Sequence, residues 1–417
     1  MKRLLILFAK GFPYNVSEPF LENEYPLYKE YYDKVLIITG CGKKEKPTRT
    51  VTDPTLEIIC DYTLTKDLRS IIEALPHTLT DKMFYRELKS LLTSGKFTFR
   101  KLYDLMVVTL CANHRVMQAY RWLRKHPEYE VDVIYSYWMQ ITAYAAIRLN
   151  QKLKNKCYTI SRVHRFDLYS EVSRTGYLPF HHQLFTRLDE IASISDDGKR
   201  YLENKYGVSD RITIHRLGAL DQGSHNPVSS RDVFKIVSCA RTVPVKRLDR
   251  IIDALCLITD RPISWTHLGG GKMLEELKQY AKEKLPSNIT FHFAGTIPNT
   301  QVYQTYGEKP FHVFINVSES EGVPVSIMEA MSYDIPVIAT AVGGTPELIE
   351  EGKNGYLLPA DFTNEELAAR IRQLMDMDED EYSACRHNAR KKFERDYNAI
   401  PNYRRFVENL ANRRKDQ

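Results

Sequence analysis

The 417-residue sequence has no Cys-x-x-Cys pair, no apolar run near transmembrane length and no complete Gly-x-Gly-x-x-Gly. Each absence narrows the function. The seven cysteines (41, 60, 111, 157, 239, 256 and 385) are scattered and odd in number. That favours reduced thiols in a cytosolic compartment over a disulfide framework or structural zinc. A bilayer-crossing helix needs about 20 consecutive apolar residues, and none is present. Met1-Lys2-Arg3 and the apolar residues 4–9 are cut off by Lys10, with no small-residue cleavage site behind them. They read as a first buried strand and not as a signal peptide. The missing glycine fingerprint argues against a nicotinamide dehydrogenase. With neither Asp-x-Asp nor clustered histidines, no metal and no cofactor is expected. Nucleic-acid signatures are also missing. A net charge of +6 without a long basic tail points to an anionic substrate or membrane surface and away from nucleic acid.

What is present is an alternation of short apolar strands and helical stretches, the pattern of an α/β protein. Strands are expected at 4–8, 34–38, 131–136, 157–163, 190–194 and 212–214, then at 233–238, 264–268, 289–293 and 313–316. Near-continuous apolar runs of this length suit parallel strands covered on both faces. A chain this long exceeds one ordinary core, so two domains are expected. The stretch 221–231, DQGSHNPVSSR, is rich in turn formers and reads as the linker between residues 1–220 and 232–397. A helix from 18 to about 31 is expected, with Ser17 as its N-cap.

The densest stretch is 316–361, NVSESEGVPVSIMEAMSYDIPVIATAVGGTPELIEEGKNGYLLPAD. A strand ends in an acidic loop, and Pro324 fits the first turn of a helix. Gly343-Gly344 gives a turn, with Thr345 as N-cap of the next helix. Glu321 stands in the loop and Glu329 in the helix, with 322–328 between them. Free N–H groups at a helix start favour an anion such as a diphosphate. Here the helix start is Gly322, Val323, Pro324, Val325 and Ser326, of which Pro324 alone has no N–H to give. The carboxylates then suit hydroxyls of a sugar or ribose.

The segments E-G-V-P-V-S-I-M-E-A-M, P-V-I-A-T, G-G-T-P-E-L-I and N-G-Y-L-L resemble the donor-binding half of family-four retaining glycosyltransferases, whose signature is Glu, seven residues, Glu. One departure is Asp334, where the family usually has Gly. Asp tolerates a left-handed backbone better than most residues, so the turn is expected to survive. The resemblance implies the GT-B fold, with two Rossmann-like parallel-sheet domains facing each other across a cleft. In that fold the tail 398–417, broken at Pro401, crosses back to the N-terminal domain.

It also implies roles. Arg241 and Lys246, after the strand 233–238, would neutralise the donor diphosphate. Glu329 would hold the ribose and Glu321 the transferred sugar, and His164 would face that sugar from the N-terminal half. Gly270 would allow close backbone approach, and Ile297 would lie against the nucleotide base. Arg162, Asp167, Gly11 and Glu18, at strand ends of the N-terminal half, would form the acceptor side. Only Gly11 represents the paired-glycine loop that family members place against the phosphates.

The expected activity is transfer of a sugar, of hexosyltransferase type and without metal, from a nucleoside-diphosphate-sugar to a saccharide or lipid-linked saccharide acceptor. The family's commonest setting is cell-surface polysaccharide or lipid-linked oligosaccharide assembly, in the cytoplasm at the inner membrane face. A nucleotide-sugar epimerase on the same architecture, a glycoside hydrolase using Glu321 and Glu329, and a non-catalytic binding module are the alternatives. Residues 96–103, KFTFRKLY, mix cations with aromatics. They fit docking on anionic lipid or, more simply, an amphipathic helix with its aromatics facing the core.

Overall fold

The computed structural model describes all residues except 16, 17, 66, 171, 172, 208 and 414–417. The chain divides into two compact units, Met1–His215 with Tyr403–Gln417, and Arg216–Asn402. In unit 1, seven strands form one parallel sheet: β1 (Lys2–Phe8), β2 (Lys34–Gly40), β3 (Leu56–Asp61), β4 (Tyr129–Ser136), β5 (Tyr158–Val163), β6 (Glu190–Ser193) and β7 (Ile212–Ile214). Their order is β3-β2-β1-β4-β5-β6-β7. Unit 2 repeats the plan with β8 (Phe234–Cys239), β9 (Ile263–Leu268), β10 (Ile289–Phe293), β11 (Val313–Asn316), β12 (Val337–Thr340) and β13 (Gly355–Leu358), ordered β10-β9-β8-β11-β12-β13. Both sheets reverse direction of build-up beside their first strand, and open α/β sheets bind ligands outside the carboxyl ends of strands at such a point. These points lie between β1 and β4, and between β8 and β11.

The apolar runs explain the layers. Leu4 to Phe8 on β1 and Val313 to Ile315 on β11 are essentially solvent-free, as strands sandwiched by helices must be. In unit 2 the helix Leu248–Leu255 covers the sheet with Leu248, Ile251, Ile252 and Leu255, apolar positions at helical spacing.

Several local expectations change. The helix expected over 18–31 is an α-helix only at Pro19–Glu24 and a 3₁₀ helix at Tyr25–Glu30. Pro26 has no N–H to continue the α-helical ladder. Ser17, its expected N-cap, lies outside the described residues. The stretch 221–231 is stitched into unit 2. Buried Asn226 donates to the carbonyls of Tyr306 and Lys309, and its own side-chain oxygen accepts from the Phe311 N–H. Pro401 does not break the tail. It occupies the first turn of the helix Ala399–Asn412, where a missing N–H costs nothing, and the chain interrupts at Tyr397-Asn398 instead. From Tyr403 onward that helix packs within unit 1, with Phe406 against Tyr135. Asp334 does adopt a left-handed conformation, φ 60°, and accepts a 2.8 Å contact from His225 Nδ1. Thr345 opens a 3₁₀ turn, with Gly344 in the cap position.

Candidate functional site

In unit 2 the loops after β8, β9, β10, β11 and β12 converge. Gly269 (φ 132°) bonds to Gly295, and a Cβ on it would sit 2.0 Å from the Ala240 carbonyl oxygen. A Cβ on Gly270 would lie 2.4 Å from Thr296 Oγ1. The triple glycine therefore lets three strand-end loops close on one another, and the close approach it permits is protein backbone to protein backbone. Gly343 (φ 54°) works the same way beneath the acidic loop. A Cβ there would be 2.1 Å from the Glu321 carbonyl oxygen, and the adjacent Gly344 N–H donates to the Gly322 carbonyl at 2.6 Å.

On that platform Lys246 Nζ meets Glu321 Oε1 at 2.5 Å, and Asn316 Nδ2 approaches the same oxygen at 3.4 Å. Arg241, after β8, is exposed and has no ion pair among the described residues. Two cations and one acid expected together thus occur at the same switch point, on the β8 and β11 loops. The helix Val325–Met331 starts after Pro324 with no side-chain cap, so its first N–H groups are not met by a capping side chain. Glu329 lies on that helix and is buried, with Asn299 Nδ2 donating to Oε1 at 2.8 Å and the Tyr303 hydroxyl as a second partner. Burial raises its pKa from 4.5 to about 7, against the opposing pull of Asn299 and Tyr303. Ile297, Val323 and Val325 are partly buried and pack on one apolar cluster with Tyr303.

Sequence reasoning missed three residues here. Asn299 and Tyr303 reach Glu329 from a helix about 30 positions earlier, a contact that no local pattern announces. Arg247, in a left-handed conformation, donates to the Val317 and Ser318 carbonyls and so fixes the start of the acidic loop. Gly343 was legible as a turn, and its place under Glu321 was not.

In unit 1 the strand ends of β1, β4 and β5 gather a second set. His164 is 7% exposed, its ring centroid lies 4.4 Å from that of Trp138 with the planes tilted by 37°, and neither ring nitrogen has a hydrogen-bond partner among the described residues. Burial, helped by the Arg162 charge, holds its pKa down to about 3, so the imidazole is neutral. Asp167 accepts from the backbone N–H groups of His164 (2.6 Å) and Met139 (2.5 Å), and burial nevertheless raises its pKa to about 7. It lines a cavity with Lys10, Leu64, Arg115, Trp138 and Phe166.

Three acceptor-side expectations are corrected. Arg162 is solvent-free; its guanidinium bonds Glu24 at 2.6 Å and stacks on Phe406 at 4.1 Å, so it is a buried structural cation. Glu18 is equally buried and fully engaged. Its carboxylate accepts from the backbone N–H groups of Lys10 (2.8 Å), Gly11 (2.9 Å) and Phe12 (2.7 Å), and from Trp138 Nε1 (2.8 Å). Gly11 is buried, with its N–H spent on Glu18. Charge-assisted bonds of this kind are strong, and they leave neither group open to a ligand. Trp138, passed over in the sequence, is what ties Glu18 to His164.

Comparison with known proteins bears on unit 2 first. Residues 225–392 match the family model described as glycosyl transferases group 1. That stretch is a group 1 glycosyl transferase domain. It contains the Lys246–Glu321 pair, Arg241 and Glu329. Over 254 residues the chain is 28% identical to WcaL of Escherichia coli K12, whose name gives it provisionally as a colanic acid biosynthesis glycosyltransferase. The match covers 59% of this chain and 62% of that protein, less than two thirds of either. Two solved structures share the fold over nearly the whole length. The lipopolysaccharide outer core galactosyltransferase WaaB, in its apo form, aligns at TM-score 0.70 with 14% identity over 98% of both chains. Anabaena HepE in complex with UDP aligns at 0.64 with 16% identity, covering 99% of this chain and all of that one. The architecture is therefore GT-B, two Rossmann-like parallel-sheet domains in one chain.

Proposed function

We propose that the protein is a retaining glycosyltransferase that moves a hexose-type sugar from a nucleoside-diphosphate-sugar to a hydroxyl of a saccharide or lipid-linked saccharide acceptor. The observation that carries this is the Lys246–Glu321 contact at the β8/β11 switch point, on a group 1 domain, with exposed Arg241 on the same loop as Lys246.

Breaking a sugar–phosphate bond builds negative charge on the departing diphosphate, and preorganised positive groups lower the barrier most. Arg241 and Lys246 supply that charge, joined by the N–H groups of the helix start at Val325 and Ser326, which no side chain caps, and no metal ion is needed. Lys246 also holds the Glu321 carboxylate in place, where it accepts hydroxyls of the transferred sugar. Glu329, ionised and anchored by Asn299, accepts both ribose hydroxyls. The base lies against Ile297. HepE, a fold relative, was solved with UDP, which supports a nucleotide as ligand. In unit 1, neutral His164 offers unpartnered nitrogens to a hydroxyl, and the cavity beside Asp167 takes the acceptor. WcaL supports a setting in cell-surface polysaccharide assembly, with which a cytoplasmic place at the membrane's inner face is compatible.

The test is a panel of uridine, guanosine and adenosine diphosphate sugars, read by thermal stabilisation and by slow donor hydrolysis with and without chelator. One nucleotide class should stabilise the protein, and chelation should leave hydrolysis intact. If no nucleotide sugar binds, the reading is wrong; if chelation abolishes turnover, its metal-free part is wrong. Epimerised donor with no acceptor and no new glycosidic bond would select the epimerase instead.

A further inference from the structure

The helix Leu68–Leu79 in unit 1 is turned inside out. Its buried positions are Ser70, Ala74 and Thr78, while Leu68, Ile72, Leu75 and Leu79 are 39–69% exposed. Those four, spaced four, three and four apart, fall within an arc of about 60° on a helix of 3.6 residues per turn. The orientation is set by specific polar contacts. Asn113 Nδ2 donates to Thr78 Oγ1 at 3.3 Å, Arg121 bonds Glu73 at 2.8 Å, and Asp67 caps the first turn through the Ser70 N–H. The next helix, Lys82–Thr93, continues the exposed apolar surface with Tyr85 and Leu92, and the Tyr85 hydroxyl donates to the Leu79 carbonyl at 2.9 Å.

Charge on the same segment is one-sided. Between residues 68 and 103, Arg69, Lys82, Arg86, Lys89, Lys96 and Arg100 are exposed. The three acids of that segment are committed elsewhere. Glu73 pairs with Arg69 and Arg121. Asp81 is solvent-free and accepts from Asn113 and Tyr144. Glu87 is half-buried and accepts from Tyr177 and Gln183. Arg69 pairs with Glu73 and Arg100 faces Asp104 at 4.0 Å, while Lys82, Arg86, Lys89 and Lys96 have no ion pair among the described residues. An exposed leucine stripe beside such cations has the make-up of a helix that lies in a lipid interface, its apolar face among the acyl chains and its cations at the headgroups.

We propose that the Leu68–Leu79 and Lys82–Thr93 helices dock this protein on the surface of an anionic bilayer. No helix among the described residues is long and apolar enough to cross one, and the docking proposed is peripheral. Leu64, four positions before Leu68 and 47% exposed, lines the cavity that holds Trp138, Phe166 and Asp167. The docked face thus leads toward the strand ends at which a lipid-linked acceptor would be bound; that last step alone rests on the transferase reading. The aromatic stretch 96–103 adds Phe99 and Tyr103 to the exposed set, and is secondary to the leucine stripe.

Flotation of the full chain with vesicles of phosphatidylcholine, with and without phosphatidylglycerol, tests the proposal. Binding should require the anionic lipid and weaken with added salt. A Lys82→Gln, Arg86→Gln, Lys89→Gln triple variant should lose about fivefold per cation, on the order of a hundredfold in partitioning. An Ile72→Asp, Leu79→Asp pair should abolish binding while leaving the melting temperature and nucleotide-sugar affinity unchanged, since both side chains are exposed. Vesicle binding that survives the aspartate pair would overturn the surface assignment. So would failure of the parent protein to bind vesicles, and a concentration-dependent dimer that the same pair dissolves would show the stripe to be a self-interface instead. Because nucleotide-sugar affinity is read separately without lipid, failure of the transferase reading would be seen apart from failure of docking.

Discussion

Replacing Glu329 by Gln should make the protein more stable and a worse nucleotide binder, and both effects should depend on pH. The side chain is 7% exposed and pairs with no cation among the described residues; its partners are the Asn299 amide and the Tyr303 hydroxyl. Burial raises its pKa from 4.5 to about 7. In the unfolded chain the proton leaves near 4.5, so the native state loses stability as pH rises through the window from 4.5 to about 7. Above that window the ionised carboxylate costs about 3 kcal/mol, from 1.36 kcal/mol per pKa unit. Gln keeps the shape and an oxygen for Asn299 and carries no charge. At about pH 8 the variant should gain roughly 2–3 kcal/mol, or about 5–10 °C in melting temperature for a unit of this size. At about pH 4 parent and variant should melt together, because both side chains are then neutral. Nucleotide affinity should move the other way. Losing two hydroxyl bonds to a charged acceptor costs on the order of 10–100-fold at high pH. The parent's affinity should fall as pH drops below about 7, and the variant's should stay flat. Melting curves and nucleotide titrations across pH decide it. A variant less stable than the parent at high pH, or affinities that track each other, would refute the reasoning.

Three further substitutions separate chemistry from architecture. Arg241→Ala should leave melting unchanged, since the side chain is exposed without an ion pair among the described residues, and should cut turnover on the order of a hundredfold by steady-state kinetics. Arg162→Met should cost about 3–5 kcal/mol in chemical denaturation by stranding Glu24 in the core. Nucleotide affinity should be untouched, and an added Glu24→Gln should recover much of the loss. Gly343→Ala meets the Glu321 carbonyl at 2.1 Å in a left-handed backbone. It should lose at least about 1–2 kcal/mol and depress turnover as well, seen in melting and kcat.

The alternation of apolar runs was enough to read two parallel-sheet domains, because a strand buried on both faces has no choice but to be apolar throughout. The acidic loop and its two glutamates were legible for a related reason. Pro324, the Gly343-Gly344 turn and the spacing of Glu321 and Glu329 are all local. The N-terminal half resisted where meaning depended on distant partners. Glu18 and Arg162 looked available because their sequence neighbours are polar or strand-like. Glu18 is taken up by the amides of Lys10, Gly11 and Phe12, a loop fold that no local pattern shows, and by Trp138, 120 residues away; Arg162 is taken up by Glu24, 138 residues away. Asn226 illustrates the opposite error, a residue in turn-rich sequence that proves to be a buried clasp. In the Leu68–Leu79 helix a helical period alone does not reveal which side faces the core, since either face of that helix can be written as apolar or small.

The loop Lys10–Phe12 already holds an anion, and it is covalently part of the chain. Three backbone amides converge on the Glu18 carboxylate, an arrangement that elsewhere cradles a phosphate. A free phosphate arriving at this strand end would have to evict a tethered competitor whose effective concentration no solute can match. The occupied nest therefore leaves no free amide cradle for a small anion at this strand end.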